Sequence, residues 1–227
     1  MRPMAWMLAG TLGAASGMAL GESDDAKRVF SLTSPSVVTV RTEDGKGLAE
    51  GQGSGVVVAP QRIVTNCHVI ESAPVIRVYV GDKGLPATWL RQNAVQDLCL
   101  LQVNGLGAAP ARLREGAVPR VGEPVFAVGN PLGFGLAVSA GLVAVGEQTQ
   151  PHPYLVSTAP QSPGSSGGGL FDRDGRLVGV TRAILGTGQN LNMAMSAGSV
   201  AALLAAGDAP PAPAAVPAPE KPWLSEA

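Results

Sequence analysis

The sequence predicts an all-β protein made of two six-stranded antiparallel barrels, with short helices at its two ends. From 27 to 200, short runs rich in valine, leucine and isoleucine alternate with turns that contain glycine, proline or asparagine. Glycine (30) and proline (19) are abundant among the 227 residues and aromatic residues make up only 4%, which favours tight turns over helical bundles. A stretch rich in glycine, proline and charge at 106–122 divides the strand-like runs into two sets.

Twelve segments have the strand pattern, six on each side of that divide. The first six are 36–41, 53–58, 62–65, 75–80, 87–91 and 98–103, and the second six are 124–129, 137–145, 154–157, 168–171, 177–183 and 192–195. We therefore expect an N-terminal barrel over about 27–105 and a C-terminal barrel over about 122–197. Helices are predicted at 23–31 and at 199–206, the latter with Ser199 as its N-cap.

The two ends of the chain differ in composition from the region between them. Arg2, the uncharged apolar stretch 5–18 and the small residues around 17–19 predict a cleaved signal peptide over 1–19. A retained membrane anchor is the alternative, but about 14 apolar residues are fewer than the roughly 20 that a spanning helix needs. The Pro/Ala-rich segment 208–227 is predicted to be a disordered tail, which leaves 20–207 as the folded domain.

Charge and metal-ligating residues exclude several classes of function. A formal net charge of −1, with 15% charged residues, produces no field that would attract nucleic acid. Two scattered histidines and two cysteines form no ligand cluster of recognised spacing, so we expect neither a metal nor another cofactor. We expect a periplasmic or secreted protein with no stable membrane insertion after signal cleavage, and the sequence does not predict its oligomeric state.

The strongest local signal for chemistry is the run SPGSSGGG at 162–169. A nucleophilic serine needs a turn with few side chains, because the substrate backbone must approach closely and main-chain N–H groups must point at the developing oxyanion. The N–H groups of Gly164 and Ser166 are the candidates for that oxyanion hole. A flexible loop without function has the same composition, so the interpretation requires catalytic partners.

A serine nucleophile needs a general base, and the chain contains only His68 and His152. His68 follows an apolar strand-like run, whereas His152 lies between two prolines. Asp97 directly precedes the apolar run 98–103 and is a candidate to hold the imidazole tautomer. A half-buried structural histidine and a turn aspartate are the alternatives for the two residues taken singly.

Seven ordered motifs together resemble the HtrA/DegP-like branch of the chymotrypsin-fold serine proteases, the trypsin-like peptidases, over most of the chain after the predicted signal peptide. They are GQGSGV at 51–56, TNCHVI at 65–70, DLCLL at 97–101, GNPLG at 129–133, PGSSGG at 163–168, GRLVGV at 175–180 and NMAM at 192–195. In this family the serine directly before Gly-Gly is the nucleophile, which selects Ser166 over Ser165 and Ser162. The resemblance implies His68 as general base, Asp97 as its orienting carboxylate, and hydrolysis of protein or peptide substrates in the cell envelope through an acyl-enzyme.

The resemblance also implies a substrate pocket, with Thr181, Arg182 and Ala183 in its wall and Ala159 and Pro160 near its floor. No acidic residue stands at these positions. A preference for small or aliphatic side chains is therefore expected, rather than one for lysine or arginine.

The chain departs from the family pattern in the serine turn and after the protease domain. The family usually has asparagine at the position of Ser165 and proline at that of Gly169, so we expect a less rigid oxyanion turn. The larger family members append a PDZ domain, whereas only the Pro/Ala-rich tail follows here. A protease-like fold retained as an inactive binding or scaffold module is the alternative function.

The two cysteines flank the candidate catalytic pair: Cys67 adjoins His68 and Cys99 follows Asp97 by two residues. If His68 and Asp97 meet, the cysteines come near bridging distance, and an exported protein meets oxidising conditions, so we predict a disulfide. Two buried reduced thiols are one alternative. A cysteine hydrolase that uses Cys67 is another, and it is disfavoured because a thiol adjacent in sequence to the base usually points away from it.

Overall fold

A computed structural model of the chain describes residues 16–71, 73–116, 118–148, 154–182 and 191–206. The strands are β1 (Val37–Glu43), β2 (Ala49–Ala59), β3 (Arg62–Thr65), β4 (Val75–Val80), β5 (Lys83–Pro86), β6 (Thr88–Asn93), β7 (Leu98–Gln102), β8 (Arg112–Leu113), β9 (Pro124–Gly129), β10 (Ala137–Gln148), β11 (Tyr154–Ser157), β12 (Gly169–Phe171), β13 (Arg176–Arg182) and β14 (Asn192–Ser196). The α-helices are α1 (Ser16–Thr33), α2 (Cys67–Ile70) and α3 (Ala197–Ala205), with 3-10 turns at Ser34–Ser36 and Pro131–Gly133. No helix in these described ranges is long and apolar enough to cross a membrane.

The strands form two sheets, one from each half of the chain, and the predicted all-β double-barrel class is confirmed. The C-terminal sheet runs β12-β9-β10-β11-β14-β13, and the additional pairing of β12 with β13 closes these strands into a six-stranded barrel. The two-residue strand β8 joins β13 in parallel at the outside of that barrel. The N-terminal sheet runs β5-β4-β1-β2-β3-β7-β6.

The N-terminal sheet differs from the prediction because it contains seven strands in an open order rather than six in a closed one. The unpredicted strand is β5, which returns along β4 after a turn at Gly81 (φ +58°). Its sequence contains Gly84 and Pro86, two residues that are depleted in strands. At the edge of a sheet a proline costs little, because its missing N–H faces no neighbouring strand.

Strands β2 and β9 bury both of their faces, one inside their own sheet and one against the other sheet. In β2, Val57 belongs to the core of the N-terminal sheet, whereas Val56 and Val58 belong to a core that both sheets share. In β9, Val125 lies in the C-terminal barrel and Phe126 in the shared core. Because successive strand residues point to opposite faces, this double burial requires the continuous apolar runs seen in the sequence.

The two terminal helices complete the shared core between the sheets. Val29 of α1 and Val200 of α3 are both fully buried there. Helix α3 begins at Ala197, and the side chain of Ser196, not the predicted Ser199, caps it by accepting a hydrogen bond from the Ser199 N–H at 3.3 Å. The cap lies earlier than predicted because β14 runs directly into the helix. Residues 1–15 of the predicted signal peptide and the predicted tail 208–227 lie outside the described residues.

An ion pair ties the segment between the two sheets to the C-terminal barrel. Arg114 donates through both terminal nitrogens to the Glu123 carboxylate, and its backbone N–H donates to Leu177 O at 2.9 Å. Hydrogen bonds from the Arg114 guanidinium hold the pKa of Glu123 below its ordinary value of 4.5. Because the lowered pKa belongs to the folded state, the pair stabilises the protein above that ordinary value and loses its effect as the pH falls through the lowered one.

We predict that Glu123→Gln lowers the free energy of unfolding at pH 7 by up to about 1 kcal/mol, since the pair is partly solvated. The difference from wild type should shrink steadily as the pH falls below 4.5. Urea unfolding followed by circular dichroism at several pH values measures both effects. The exposed Glu115 provides the matched control as Glu115→Gln. A loss that is the same at every pH would contradict the ion-pair explanation.

Candidate active site

Asp97 and His68 form the best-defined contact of the site. Asp97 lies in the turn before β7, and its side chain is only 8% exposed. Its Oδ1 accepts the His68 backbone N–H at 2.9 Å, and its Oδ2 lies 2.6 Å from His68 Nδ1. A carboxylate at Nδ1 selects the tautomer that carries the proton there, which leaves Nε2 unprotonated and able to accept a proton.

The main chain of Asp97 is hydrogen-bonded as well as its side chain. Asp97 adopts a positive φ of +54°, which is uncommon for a residue with a side chain. Its carbonyl oxygen accepts hydrogen bonds from Cys67 N at 3.2 Å and from Asn66 Nδ2 at 3.0 Å. Hydrogen bonds to the carboxylate and to the carbonyl of Asp97 therefore maintain this turn.

A disulfide joins the two segments that carry Asp97 and His68. Cys67 and Cys99 are bonded, with their Cα atoms 5.0 Å apart, and both residues are buried. The predicted bridge is thus present in the structure, and the alternative of two reduced thiols is not. Because the Cys67 sulfur is bonded, it cannot serve as a nucleophile, which removes the cysteine-hydrolase alternative.

The serine turn at 164–167 is held by the N-terminal sheet through Ser54 of β2. The Ser54 hydroxyl donates to Gly164 O at 2.7 Å and accepts from Asn130 N at 2.8 Å. The Ser54 N–H donates to Ser166 O at 2.8 Å. The two backbone carbonyls that bracket Ser165 are thereby both bonded to one residue of the other sheet.

The packing is so close that it requires glycine at 164 and 167, the two positions that flank Ser165 and Ser166. Gly164 has φ +92°, and a Cβ there would lie 2.5 Å from Asn130 O. Gly167 has φ +83°, and a Cβ there would lie 2.2 Å from Ser54 O and 3.2 Å from Asn66 N. Since Asn66 precedes His68 by two residues, the same contacts bring the serine turn against the histidine segment.

The candidate oxyanion hole contains two N–H groups without protein acceptors. Within the described ranges, the Gly164 N–H and the Ser166 N–H donate to no protein acceptor, whereas the Ser165 N–H donates to Ser162 O at 2.9 Å. Ser165 Oγ accepts from Ser162 N only at 3.4 Å, and Ser165 O accepts from Thr181 Oγ1 at 2.7 Å. The turn therefore presents the two donors that the sequence singled out.

Ser166 lies in a turn that packs around Gly53 together with the residue after His68. Ser166 is buried, and a Cβ built on Gly53 would lie 3.1 Å from Ser166 O and 2.7 Å from a methyl group of Val69. The serine and the residue after His68 thus pack around the same glycine. Across the described part of the chain, the Ser166 hydroxyl makes no hydrogen bond to the imidazole. Catalytic hydrogen bonds are often long without substrate and shorten when it binds.

The residues predicted for the substrate pocket lie in different surroundings. Thr181 and Pro160 line a cavity of about 250 Å³ beside the serine turn, together with Ser165. Ala159 is fully buried, and its carbonyl accepts from Asn192 Nδ2 at 2.9 Å. Ala183 lies outside the described residues, as does His152.

Arg182 contacts Asp97, one member of the candidate catalytic pair. Its Nε lies 3.0 Å from Asp97 Oδ2, the same oxygen that faces His68 Nδ1. Sequence reasoning assigned Arg182 to the pocket wall and did not anticipate this ion pair. It also gave no role to Ser54 or Asn130, although both stand in motifs that it singled out. Nothing local in the sequence reports contacts between the two sheets.

Comparisons with known proteins agree with this geometry. A model of the trypsin-like peptidase domain matches residues 53–180. A probable periplasmic serine endoprotease, DegP-like, of Ectopseudomonas mendocina (strain ymp) is 34% identical over 142 residues, which cover 60% of this chain and 30% of that protein. Its counterpart in Pseudomonas savastanoi pv. phaseolicola is 33% identical over 138 residues, covering 58% of this chain and 29% of that protein. The chain thus spans less than a third of the length of these curated relatives.

Solved structures share the fold. The serine endoprotease from Yersinia pestis has a TM-score of 0.71 and 24% identity, with 79% of this chain and 65% of that chain covered. The Rv3671c protease from M. tuberculosis, active form, has a TM-score of 0.72 and 24% identity, with 93% of this chain and 96% of that chain covered. At this identity the likeness shows the fold alone.

We predict that the double variant Cys67→Ala/Cys99→Ala loses about 3–4 kcal/mol of unfolding free energy, because the bridge closes a loop of about 33 residues. The sequence separation of the two cysteines is 32. Chemical denaturation of the oxidised wild type and of the variant measures the loss. Reduced wild-type protein provides the control, since it lacks the bond but keeps both side chains. Equal stability of oxidised and reduced wild type would show that the bond does not hold the two segments.

Proposed function

Because the chain belongs to the trypsin-like peptidase family, we propose that it is a serine endopeptidase that hydrolyses peptide bonds of cell-envelope proteins through an acyl-enzyme. The observation that carries the proposal is the 2.6 Å contact between His68 Nδ1 and Asp97 Oδ2. This contact orients a base on a segment that packs against the serine turn, and two N–H groups of that turn have no protein acceptor within the described residues. These groups support a proposal of acyl transfer by a serine, which requires a nucleophile, an oriented base and oxyanion donors.

Acylation begins when the Ser166 hydroxyl oxygen attacks the carbonyl carbon of the scissile peptide bond. His68 Nε2 takes the hydroxyl proton as the C–O bond forms, and Asp97 stabilises the resulting imidazolium. The N–H groups of Gly164 and Ser166 bind the oxyanion of the tetrahedral intermediate, and each such donor is typically worth about 10²–10³ in rate. His68 then gives the proton to the leaving amine as the C–N bond breaks.

Deacylation repeats these steps with water as the nucleophile. His68 removes a proton from the water as its oxygen attacks the ester carbonyl carbon, and the same N–H groups bind the second oxyanion. Proton return to Ser166 Oγ releases the carboxylic acid product and restores the enzyme. Every atom transferred in the cycle comes from the substrate, from water or from the serine–histidine pair, so the mechanism uses no cofactor.

Export and substrate class are further parts of the proposal. A signal peptide over 1–19 would direct the protein to the periplasm or the exterior, in keeping with relatives that are named as probable periplasmic proteases. Thr181 and Pro160 line the cavity beside the serine turn and neither is acidic, which favours small or aliphatic substrate side chains over lysine or arginine. We expect the protein or peptide substrates to be located in the same compartment.

The nucleophile is tested by digestion of a peptide library with wild type and with Ser166→Ala. We expect the wild type to cleave, with enrichment of small or aliphatic residues before the scissile bond, and the variant to lose activity by at least about 10⁴-fold. A fluorophosphonate probe should label the wild type and not the variant. Equal cleavage by both proteins would refute the mechanism. If neither cleaves and the probe labels nothing, the inactive binding or scaffold module is the correct interpretation.

We also predict that Ser54→Ala lowers kcat about tenfold or more with little change in KM, because the Ser54 hydroxyl positions the turn whose donors act in the transition state. Steady-state kinetics on one peptide selected from the library measures the two constants separately. Ser31→Ala, at an exposed position of α1, controls for the loss of a serine hydroxyl as such. A rise in KM at constant kcat would assign Ser54 to substrate binding instead.

A further inference from the structure

Arg182 shares a carboxylate oxygen with the base of the proposed enzyme. It is the last residue of β13, and its Nε lies 3.0 Å from Asp97 Oδ2, which lies 2.6 Å from His68 Nδ1. The Arg182 side chain is 29% exposed and that of Asp97 is 8% exposed, so the pair is largely withdrawn from water. A permanent positive charge therefore stands at the atom that must stabilise the imidazolium.

We propose that Arg182 restrains the reaction by neutralising the Asp97 carboxylate, so that the enzyme works below its full rate while this ion pair is made. The inference rests on the proposed function, because it concerns the proton transfer from Ser166 to His68.

The restraint follows from the charges before and after that proton transfer. In the resting enzyme the imidazole is neutral, and Asp97 and Arg182 together carry no net charge. In the transition state a positive charge develops on His68, attracted by Asp97 and repelled by the guanidinium on the same oxygen. Only interactions that are stronger in the transition state than in the resting state accelerate a reaction. Arg182 favours the resting state, so it lowers the rate.

A purely structural role for Arg182 is the competing explanation, in which the guanidinium is needed to keep Asp97 in place. The carboxylate is already held without it: Oδ1 accepts the His68 N–H at 2.9 Å and Oδ2 faces His68 Nδ1. The Asp97 carbonyl accepts from Cys67 and Asn66, and a disulfide joins Cys67 to Cys99. Removal of the guanidinium therefore leaves Asp97 aligned with His68.

The position of Arg182 explains how the restraint can be released. Arg182 belongs to the C-terminal barrel, whereas Asp97 and His68 belong to the N-terminal sheet. The ion pair crosses between the two sheets, next to the Thr181 backbone that accepts the Gly167 N–H at 2.9 Å. Loss of the contact between Arg182 and Asp97 would leave the hydrogen bonds between Asp97 and His68 in place, because both of those residues belong to the N-terminal half of the chain.

The test compares the second-order rate constant for labelling by a fluorophosphonate probe in wild type, Arg182→Met and Arg182→Gln. Met keeps the length of the stem and Gln keeps polarity, and both remove the charge. We expect both variants to be labelled about tenfold faster than wild type, since a unit charge a few ångströms away acts on the imidazolium. Arg182→Lys should show less than a third of that gain. Arg173→Met is the matched control, because Arg173 pairs with Asp25 on the surface, away from the site.

A spectroscopic measurement separates this effect from a structural one. The proton between His68 Nδ1 and Asp97 gives a far-downfield proton NMR signal, and it should move further downfield in Arg182→Met, because Oδ2 no longer shares its charge with the guanidinium. The proposal requires both the faster labelling and the shifted signal. Labelling that is equal or slower in both charge-removing variants overturns it, and so does an unmoved signal.

Failure of the inference and failure of the proposed function have different signatures. If wild type is labelled at Ser166 and the Arg182 variants are labelled no faster, only the restraint is refuted. If neither wild type nor any variant is labelled while thermal melting shows all of them folded, the proposed function fails and the restraint with it.

Discussion

The contact between Asp97 and His68 is the interaction on which the rest of the site depends. The Asp97 carboxylate accepts the backbone N–H of His68 and faces Nδ1 of its ring. The Asp97 carbonyl accepts hydrogen bonds from Cys67 N and Asn66 Nδ2, in the segment directly before His68. A buried carboxylate is stable only if such partners replace the water it has lost. The disulfide between Cys67 and Cys99 adds a covalent link around the same point. One group therefore determines the tautomer of the proposed base, its orientation and the path of the chain around it.

Close packing between the two sheets determines the second half of the site. The serine turn belongs to the C-terminal barrel, but Ser54 of the N-terminal sheet bonds both Gly164 O and Ser166 O. Such proximity excludes side chains, which is why Gly164 and Gly167 cannot carry a Cβ without a clash. In this arrangement the N–H groups of Gly164 and Ser166 have no protein acceptor among the residues that the structure describes. The segments that carry the candidate nucleophile and the candidate base thus meet where strands of the two sheets bury their second faces against each other.

Arg182 places a positive charge beside the carboxylate that has to stabilise the positive charge on His68. Stability and catalysis place different demands on Asp97: a buried anion is most stable with a cation beside it, whereas the imidazolium gains most from an anion that is not already neutralised. The 3.0 Å contact with Arg182 meets the first demand at the cost of the second. Because the contact spans the two sheets, the balance between the two demands depends on tertiary structure alone.

The sequence by itself determined the fold class and predicted the candidate triad and the disulfide, because each depends on patterns that are local or that recur in ordered motifs. Strands that are buried on both faces, such as β2 and β9, require continuous apolar runs in the sequence. A tight oxyanion turn requires the glycines of 164–169. Strand β5 was not predicted because an edge strand tolerates glycine and proline, which the sequence pattern reads as turn residues. The cap Ser196 was not predicted because β14 runs directly into α3. Only the tertiary structure decided the roles of Ser54 and Arg182. Their partners lie 110 and 85 residues away along the chain, and no local propensity encodes a hydrogen bond or an ion pair made across two sheets.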